Sequence, residues 1–267
     1  MCRLALFFVF ILCPFFLLKS QIKLKGTVID ASSSSPIEFV NIGFPKKGVG
    51  TVSSEKGEFV LIVPDSLKSD SIVFSHISYK TKKIKLEENL SVITLTEAKK
   101  DLSEVIILPN KIKSKWINKG ISIPVSSMLS NLGEEVGIPL DFKKEALLRQ
   151  VKVKVKSCSY DSVIVRVNLY NLKEGIVGDL ISTEPLYTTI FKNKKSQEYI
   201  LDFVESIKIS DGSILLSMEC VAYHGEVDSK IVFPTNAGTG YSRSISLGDF
   251  EKIPFNTGLS LKATYLK

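Results

Sequence analysis

Two histidines, His76 and His224, are the only imidazoles available as bases or metal ligands, and no Glu accompanies either at helical spacing. A catalytic zinc needs three protein ligands, usually His and Glu at fixed intervals, and this pattern does not compose them. His76, in Ser75-His76-Ile77-Ser78-Tyr79, reads as structural, and His224 as an exposed strand end. No Gly-x-Ser-x-Gly elbow occurs, and Gly238-Thr239-Gly240 is too short for a phosphate loop and reads as a flexible loop. Asp202, Asp211 and Asp228 lack the dense oxygen spacing of a calcium loop. The expectation is a non-enzyme with no catalytic, cofactor-binding or metal-binding residues. Trp116, Tyr187, Tyr223 and Tyr241 are the remaining pointers to binding. An aromatic face can stack on the C–H surface of a sugar, and the competing reading is ordinary packing. The ligand-binding residues themselves are not legible.

The N-terminus carries Met1-Cys2-Arg3, an apolar run from Leu4 to Leu18, then Lys19-Ser20-Gln21. A basic start, an apolar centre and a small residue form a secretory signal peptide, and the run is short for a membrane anchor. Residues 1–20 are therefore expected to be removed and Gln21 to begin an extracytoplasmic chain, periplasmic, outer-membrane-associated or secreted, with no span after cleavage. Cys158 and Cys220 would then be the only thiols. Export permits a disulfide between them, whereas the alternation of Leu216, Met218 and Cys220 onto one strand face suits small buried hydrophobes, and both readings stay open. The formal net charge of +7 is scattered. In Val151-Lys152-Val153-Lys154-Val155-Lys156 an extended chain sends every valine to one face and every lysine to the other. That is first a solvated strand face and second a polyanion-binding stripe. Neither it nor the Lys111, Lys113, Lys115 series has the aromatic interleaving of a nucleic-acid platform, so no nucleic-acid partner is expected.

From Gln21 to about Leu95 short alternating runs are broken by turn residues, an all-β signature. Ile22, Leu24 and Val28 share one face, then Val40, Ile42 and Phe44, then Phe59, Leu61 and Val63, then Ile72 and Phe74, then Ile84 and Leu86. Gly57 opens a strand after a tight turn, where a positive φ or a close backbone approach is expected. Residues 98–125 are Lys-rich, contain Pro109 and Pro124, and read as a linker that includes Trp116. Ser130 to Pro139 then reads as loop and short strand, and Asp141 to Gln150 as one or two helical turns. Strands are expected at Val151–Val155, Ser162–Tyr170, Glu198–Phe203, Ile214–Val221 and Leu259–Tyr265. Their length suits an antiparallel, jelly-roll-like β-sandwich over 126–267.

The series Gly26-Thr27-Val28-Ile29-Asp30, Pro36-Ile37-Glu38-Phe39-Val40-Asn41-Ile42, Gly50-Thr51-Val52-Ser53-Ser54-Glu55-Lys56-Gly57-Glu58-Phe59 and Phe74-Ser75-His76-Ile77-Ser78-Tyr79 resembles the carboxypeptidase-regulatory-like domain. It departs at Ser78, where that family usually has Gly, and at Ser53 and Ser54, where Thr and Asp are usual. The resemblance implies a seven-stranded, transthyretin-like β-sandwich over 21–97, an accessory module of exported proteins. In Gram-negative envelopes it often precedes the plug and barrel of TonB-dependent receptors, and Asp101 to Leu108 is similar to the segment that follows it there. No barrel pattern follows in this sequence. The second half is similar, through Gly133 to Gly137, Val165 to Tyr170, Asp179-Leu180-Ile181 and Ser217-Met218-Glu219, to the C-terminal domain found behind the same module in short envelope proteins. The expected function is a non-enzymatic structural or interaction module of the cell envelope with an unidentified protein or glycan partner. The alternative is a carbohydrate-binding protein that uses its C-terminal sandwich.

Overall fold

The computed structural model describes residues 21–86, 90–98, 114–118, 121–226 and 228–265. Residues 1–20, expected to be a signal peptide, and Asp101 to Leu108, Lys111 and Lys113 lie outside the described residues. The fold is nearly all β. Asp65–Leu67 forms a single 3-10 turn, and among the described residues no helix is long and apolar enough to cross a membrane.

The first seven strands are β1 (Gln21–Asp30), β2 (Asn41–Phe44), β3 (Val49–Val52), β4 (Glu58–Pro64), β5 (Ser71–His76), β6 (Tyr79–Lys85) and β7 (Val92–Leu95). They make two sheets, ordered β4-β1-β7 and β3-β2-β5-β6. Strand alternation sends Val28, Phe59, Leu61 and Val63 from one sheet against Ile42, Phe44, Ile72 and Phe74 from the other, and these residues form one closed apolar cluster. The motif residues have local duties. Asp30 Oδ1 accepts from the amides of Ser32 and Ser33 at 2.8 and 2.7 Å, closing the turn after β1, and these amides lower its pKa. Ser53 is fully buried, accepts from Val40 N at 2.8 Å and donates to Ile37 O at 3.1 Å. Ser54 Oγ accepts from the amides of Lys56 and Glu58, both at 3.2 Å. The serines that depart from the family pattern thus still hold the turn with side-chain oxygens.

Among the described residues twelve further strands follow: β8 (Ser114–Ile117), β9 (Ser122–Leu129), β10 (Glu135–Phe142), β11 (Ala146–Val155), β12 (Ser157–Lys173), β13 (Ile176–Leu180), β14 (Leu186–Asn193), β15 (Gln197–Ile209), β16 (Gly212–His224), β17 (Ile231–Arg243), β18 (Glu251–Thr257) and β19 (Leu259–Tyr265). An eight-stranded sheet runs β13-β12-β16-β10-β17-β18, with β14 beside β12 and β9 beside β17. A four-stranded sheet runs β15-β11-β19-β8. Val151, Val153 and Val155 point into the core between them, together with Val163, Val165, Val167, Leu216 and Met218.

Several expectations are corrected here. Asp141 to Gln150 forms no helical turn, because Asp141 and Phe142 end β10 and Ala146 to Gln150 begin β11, with three residues at the bend. Ile138, Leu140, Phe142, Ala146 and Leu148 are core residues whose alternation outweighs the charges of the bend. Gly238-Thr239-Gly240 is part of β17, at a bulge against β18, and is not a loop. Within the 98–125 segment read as linker, β8 pairs with β19 and β9 with β17, so Trp116 sits on a sheet.

Gly57 has φ +71°, and a Cβ there would lie 2.5 Å from Val28 O. A β-branched residue cannot meet both constraints. Gly57→Val is expected to lower the unfolding temperature of the N-terminal sandwich by roughly ten degrees or more, given that each kcal/mol shifts a small domain by about 4–8 °C. Differential scanning calorimetry checks it, and an unchanged thermogram would contradict the turn assignment.

Candidate functional site

The outer face of the eight-stranded sheet carries charge where a solvated face would be ordinary, yet it is buried. Register aligns Arg166 with Glu219, Asn168 with Ser217 and Glu135 with both Glu219 and Arg243. Arg166, Asn168, Ser217, Glu219, Glu135 and Arg243 are all buried. Arg166 Nη2 lies 2.7 Å from Glu219 Oε2, Arg243 Nη2 2.5 Å from Glu135 Oε2 and 3.6 Å from Glu219 Oε1. Asn168 Nδ2 donates to Glu135 Oε1 at 3.0 Å and to Glu219 Oε2 at 3.1 Å, and Ser217 Oγ donates to Glu135. Two guanidiniums and two carboxylates thus balance in a dry layer, where removing one partner costs about 3–5 kcal/mol. Burial pushes the Glu219 carboxyl up, but Arg166 and Arg243 outweigh it and hold it below the usual carboxylate range. Glu135 is raised, by burial first and by the Glu219 charge, against the pull of Arg243.

The N-terminal sandwich covers the Arg166 end of this layer, while Tyr170 and Phe250 of the C-terminal half lie against Arg243. Arg166 Nη1 donates to Phe39 O at 2.8 Å and Nη2 to Asn41 Oδ1 at 2.7 Å. The Phe39 ring meets Tyr187 edge-on at 5.2 Å, and Phe39, Val52 and Val221 form a separate apolar cluster across the seam. Lys46 N donates to Leu247 O at 3.1 Å, and a Cβ on Gly50 would stand 2.3 Å from Ser246 O, so the two backbones touch. Phe39, Lys46 and Leu247 hold φ of +53°, +61° and +61°. A left-handed side-chain-bearing residue costs roughly 1–2 kcal/mol, and strain of this kind persists only where surrounding contacts over-determine it.

Beside the clamp the seam opens into a groove of about 400 Å³, lined by Thr51, Ser54, Glu55 and Val60 on one side and Leu132, Tyr223 and His224 on the other. His224 Nε2 faces Glu55 Oε2 at 4.0 Å across it, and Tyr223 packs on Tyr160 at 4.9 Å. Ser53 and Ser54, also in the lining, spend their oxygens on backbone groups.

The residues singled out in the sequence are dispersed. His76 and His224 are on β5 and β16, at separate places along the seam side of the molecule. Cys158 and Cys220 are two free, buried thiols, both raised by burial, Cys220 to about 12. Asp202 is on β15, whereas Asp211 and Asp228 are in turns, and among the described residues no three His, Cys, Asp or Glu side chains converge as a metal site. Tyr241 is buried and donates to Gly175 O at 3.1 Å, so its role is packing. Tyr187 is in the seam and Tyr223 in the groove. The residues missed were Arg166, Glu135, Glu219 and Arg243. The available signal was a charged residue at the same strand parity as Asn168 and Ser217 within long apolar strands, which marks a covered face.

His76 sits near this layer. Burial first, and the Arg166 charge second, depress its pKa from 6.5 to about 4. Between these values the unfolded chain takes up a proton that the folded chain refuses, so stability falls as pH drops from 6.5 to 4 and the loss levels off below that. His76→Asn keeps an acceptor for the Ser78 amide, now 3.2 Å from Nδ1, without a titrating ring. Denaturant titrations should show the wild type losing up to about 3 kcal/mol more than the variant over that interval. Parallel pH profiles would contradict the half-buried, neutral imidazole.

Among solved structures, the cysteine protease and lectin-like domains of Cwp84, a surface layer associated protein of Clostridium difficile, align with 82% of this chain at 10% identity and a TM-score of 0.39. The clostridial cysteine protease Cwp84 after propeptide cleavage aligns with 90% at 10% identity and 0.41. The infectious bursal disease virus Gx strain structure aligns with 92% at 9% identity and 0.28, covering 78% of that chain. The chain spans 46% and 61% of the two clostridial chains. No curated protein matches the sequence. Residues 24–107, which take in most of the N-terminal sandwich with its Asp30, Ser54 and Gly57 turns, match the CarboxypepD_reg-like domain.

Proposed function

We propose that the chain is an exported, non-enzymatic protein of the cell envelope whose two sandwiches act together as one rigid interaction module. The observation that carries this reading is where the strong ionisable groups go. Arg166, Arg243, Glu135 and Glu219 face one another in the buried seam, and Arg166 holds the neighbouring sandwich. A hydrolytic centre instead sets a nucleophile beside a base in an open cleft. In the groove the serines are committed to turn geometry, and His224 has Glu55 as its charged neighbour. The CarboxypepD_reg-like domain supports an accessory role, since its strands and turns supply a scaffold. The leader from Met1 to Ser20 supports export.

Fractionated cells should yield the protein outside the cytoplasm, with an intact mass that begins at Gln21. The same preparation should hydrolyse no C-terminal peptide substrate, with or without added zinc. Cytosolic protein that retains Met1 to Ser20 would contradict export, and turnover abolished by His224→Ala would contradict the non-enzymatic reading.

A further inference from the structure

In sequence, Trp116 and the Lys152-Lys154 stripe are thirty-odd residues apart. The fold puts them on one surface. On the outer face of the four-stranded sheet, register places Asp202, Gln150, Lys262 and Trp116 side by side on β15, β11, β19 and β8. The row is linked: Gln150 Nε2 donates to Asp202 Oδ1 at 2.6 Å, and Lys262 Nζ donates to Gln150 Oε1 at 2.8 Å and lies 5.7 Å from the Trp116 ring centre. The next row is Ile200, Lys152 and Ser260. Lys152 Nζ is 4.8 Å from the same ring and 3.3 Å from Glu198 Oε2, and Lys154 shares that carboxylate at 3.8 Å. Ile200 is 55% exposed. Beyond these rows a pocket of about 210 Å³ is lined by Lys154, Glu198, Asn118, Ser122 and Asn236.

We propose that this face binds an acidic polysaccharide, a chain of uronic-acid sugars, with Trp116 stacking on a sugar ring while Lys152 and Lys262 take its carboxylates. The proposal rests on the binding-module reading and assigns it a site and a ligand class. An indole offers a broad apolar face to sugar C–H groups, and Ile200 adds apolar surface three strands away, on β15. Gln150, Asp202 and Ser260 supply donors and acceptors suited to hydroxyls. Three ammoniums, Lys152, Lys154 and Lys262, stand against two carboxylates, Glu198 and Asp202, a slight positive excess. That balance fits carboxylates spaced along a hydroxyl-rich chain. A nucleic acid or polyphosphate, with a charge at every unit, would meet Glu198 and Asp202 as repulsion, and one aromatic is too few for successive bases. In the free protein the two ammoniums rest over the ring. Exposed contacts of this kind are weak, so a ligand carboxylate can draw the ammoniums aside and uncover the indole.

Trp116 is the only tryptophan, so its emission reports this face alone. The mature full chain is titrated with tetragalacturonate, with cellotetraose and inorganic tetrapolyphosphate in parallel, at low and physiological ionic strength. The expected result is a saturable emission shift with tetragalacturonate, weakened by salt, and none with cellotetraose. Lys152→Gln with Lys262→Gln should weaken binding by about tenfold or more while melting at the wild-type temperature, and Trp116→Ala should abolish the heat of binding in calorimetry. No shift and no heat with tetragalacturonate at millimolar concentration would overturn the proposal. So would equal binding of cellotetraose, equal binding of tetrapolyphosphate, or wild-type affinity in either variant. Such failure would leave the export and module reading to its own fractionation test.

Discussion

A guanidinium buried between two sandwiches is the constraint on which the rest of this molecule depends. Arg166 cannot shed its charge, so every donor it carries into the dry seam needs an acceptor. Glu219 Oε2 accepts from Nε and Nη2 within the same sheet, and Phe39 O and Asn41 Oδ1 accept from Nη1 and Nη2 across in the neighbouring sandwich. Separating the halves would strand that charge. The seam is therefore held by specific contacts, unlike a loose interface between tethered domains whose relative motion is the default. The left-handed backbone at Phe39, Lys46 and Leu247 and the contact of Gly50 with Ser246 follow from the same closeness.

Fixing the seam fixes what the protein can present. The groove beside Tyr223 and His224 exists because Thr51 and Glu55 of one sandwich are held opposite them. The Trp116 face is built differently, on strands of one sheet, so its geometry comes from hydrogen-bonded register and needs no help from the seam. A flat sheet face with one indole and alternating charges suits an extended ligand, whereas the groove is a cleft between two bodies.

Local patterns were readable in the sequence and long-range ones were not. Gly57, Asp30 and the alternating Phe59, Leu61 and Val63 announce their roles because turn chemistry and period-two burial act within a few residues. Val151 to Lys156 announces its faces for the same reason. By contrast, the end of β10 and the start of β11 were hidden by the charged bend at 143–145, and β17 by its glycines, since a bulge and a loop draw on the same residue types. Trp116 looked like linker because its strand is short and is justified only by β19, nearly 150 residues later. The charged seam was least legible of all. Nothing near Arg166 in sequence says that Phe39 and Asn41 will cover it.

The rigidity of the paired sandwiches is tested most directly by electron–electron double resonance between spin labels on exposed positions of each half, Lys83→Cys and Ser206→Cys, since Cys158 and Cys220 are buried and poorly labelled. A seam locked by Arg166 should give one narrow distance distribution that broadens on Arg166→Met. A broad distribution in the wild type, or a narrow one that Arg166→Met leaves unchanged, would contradict it.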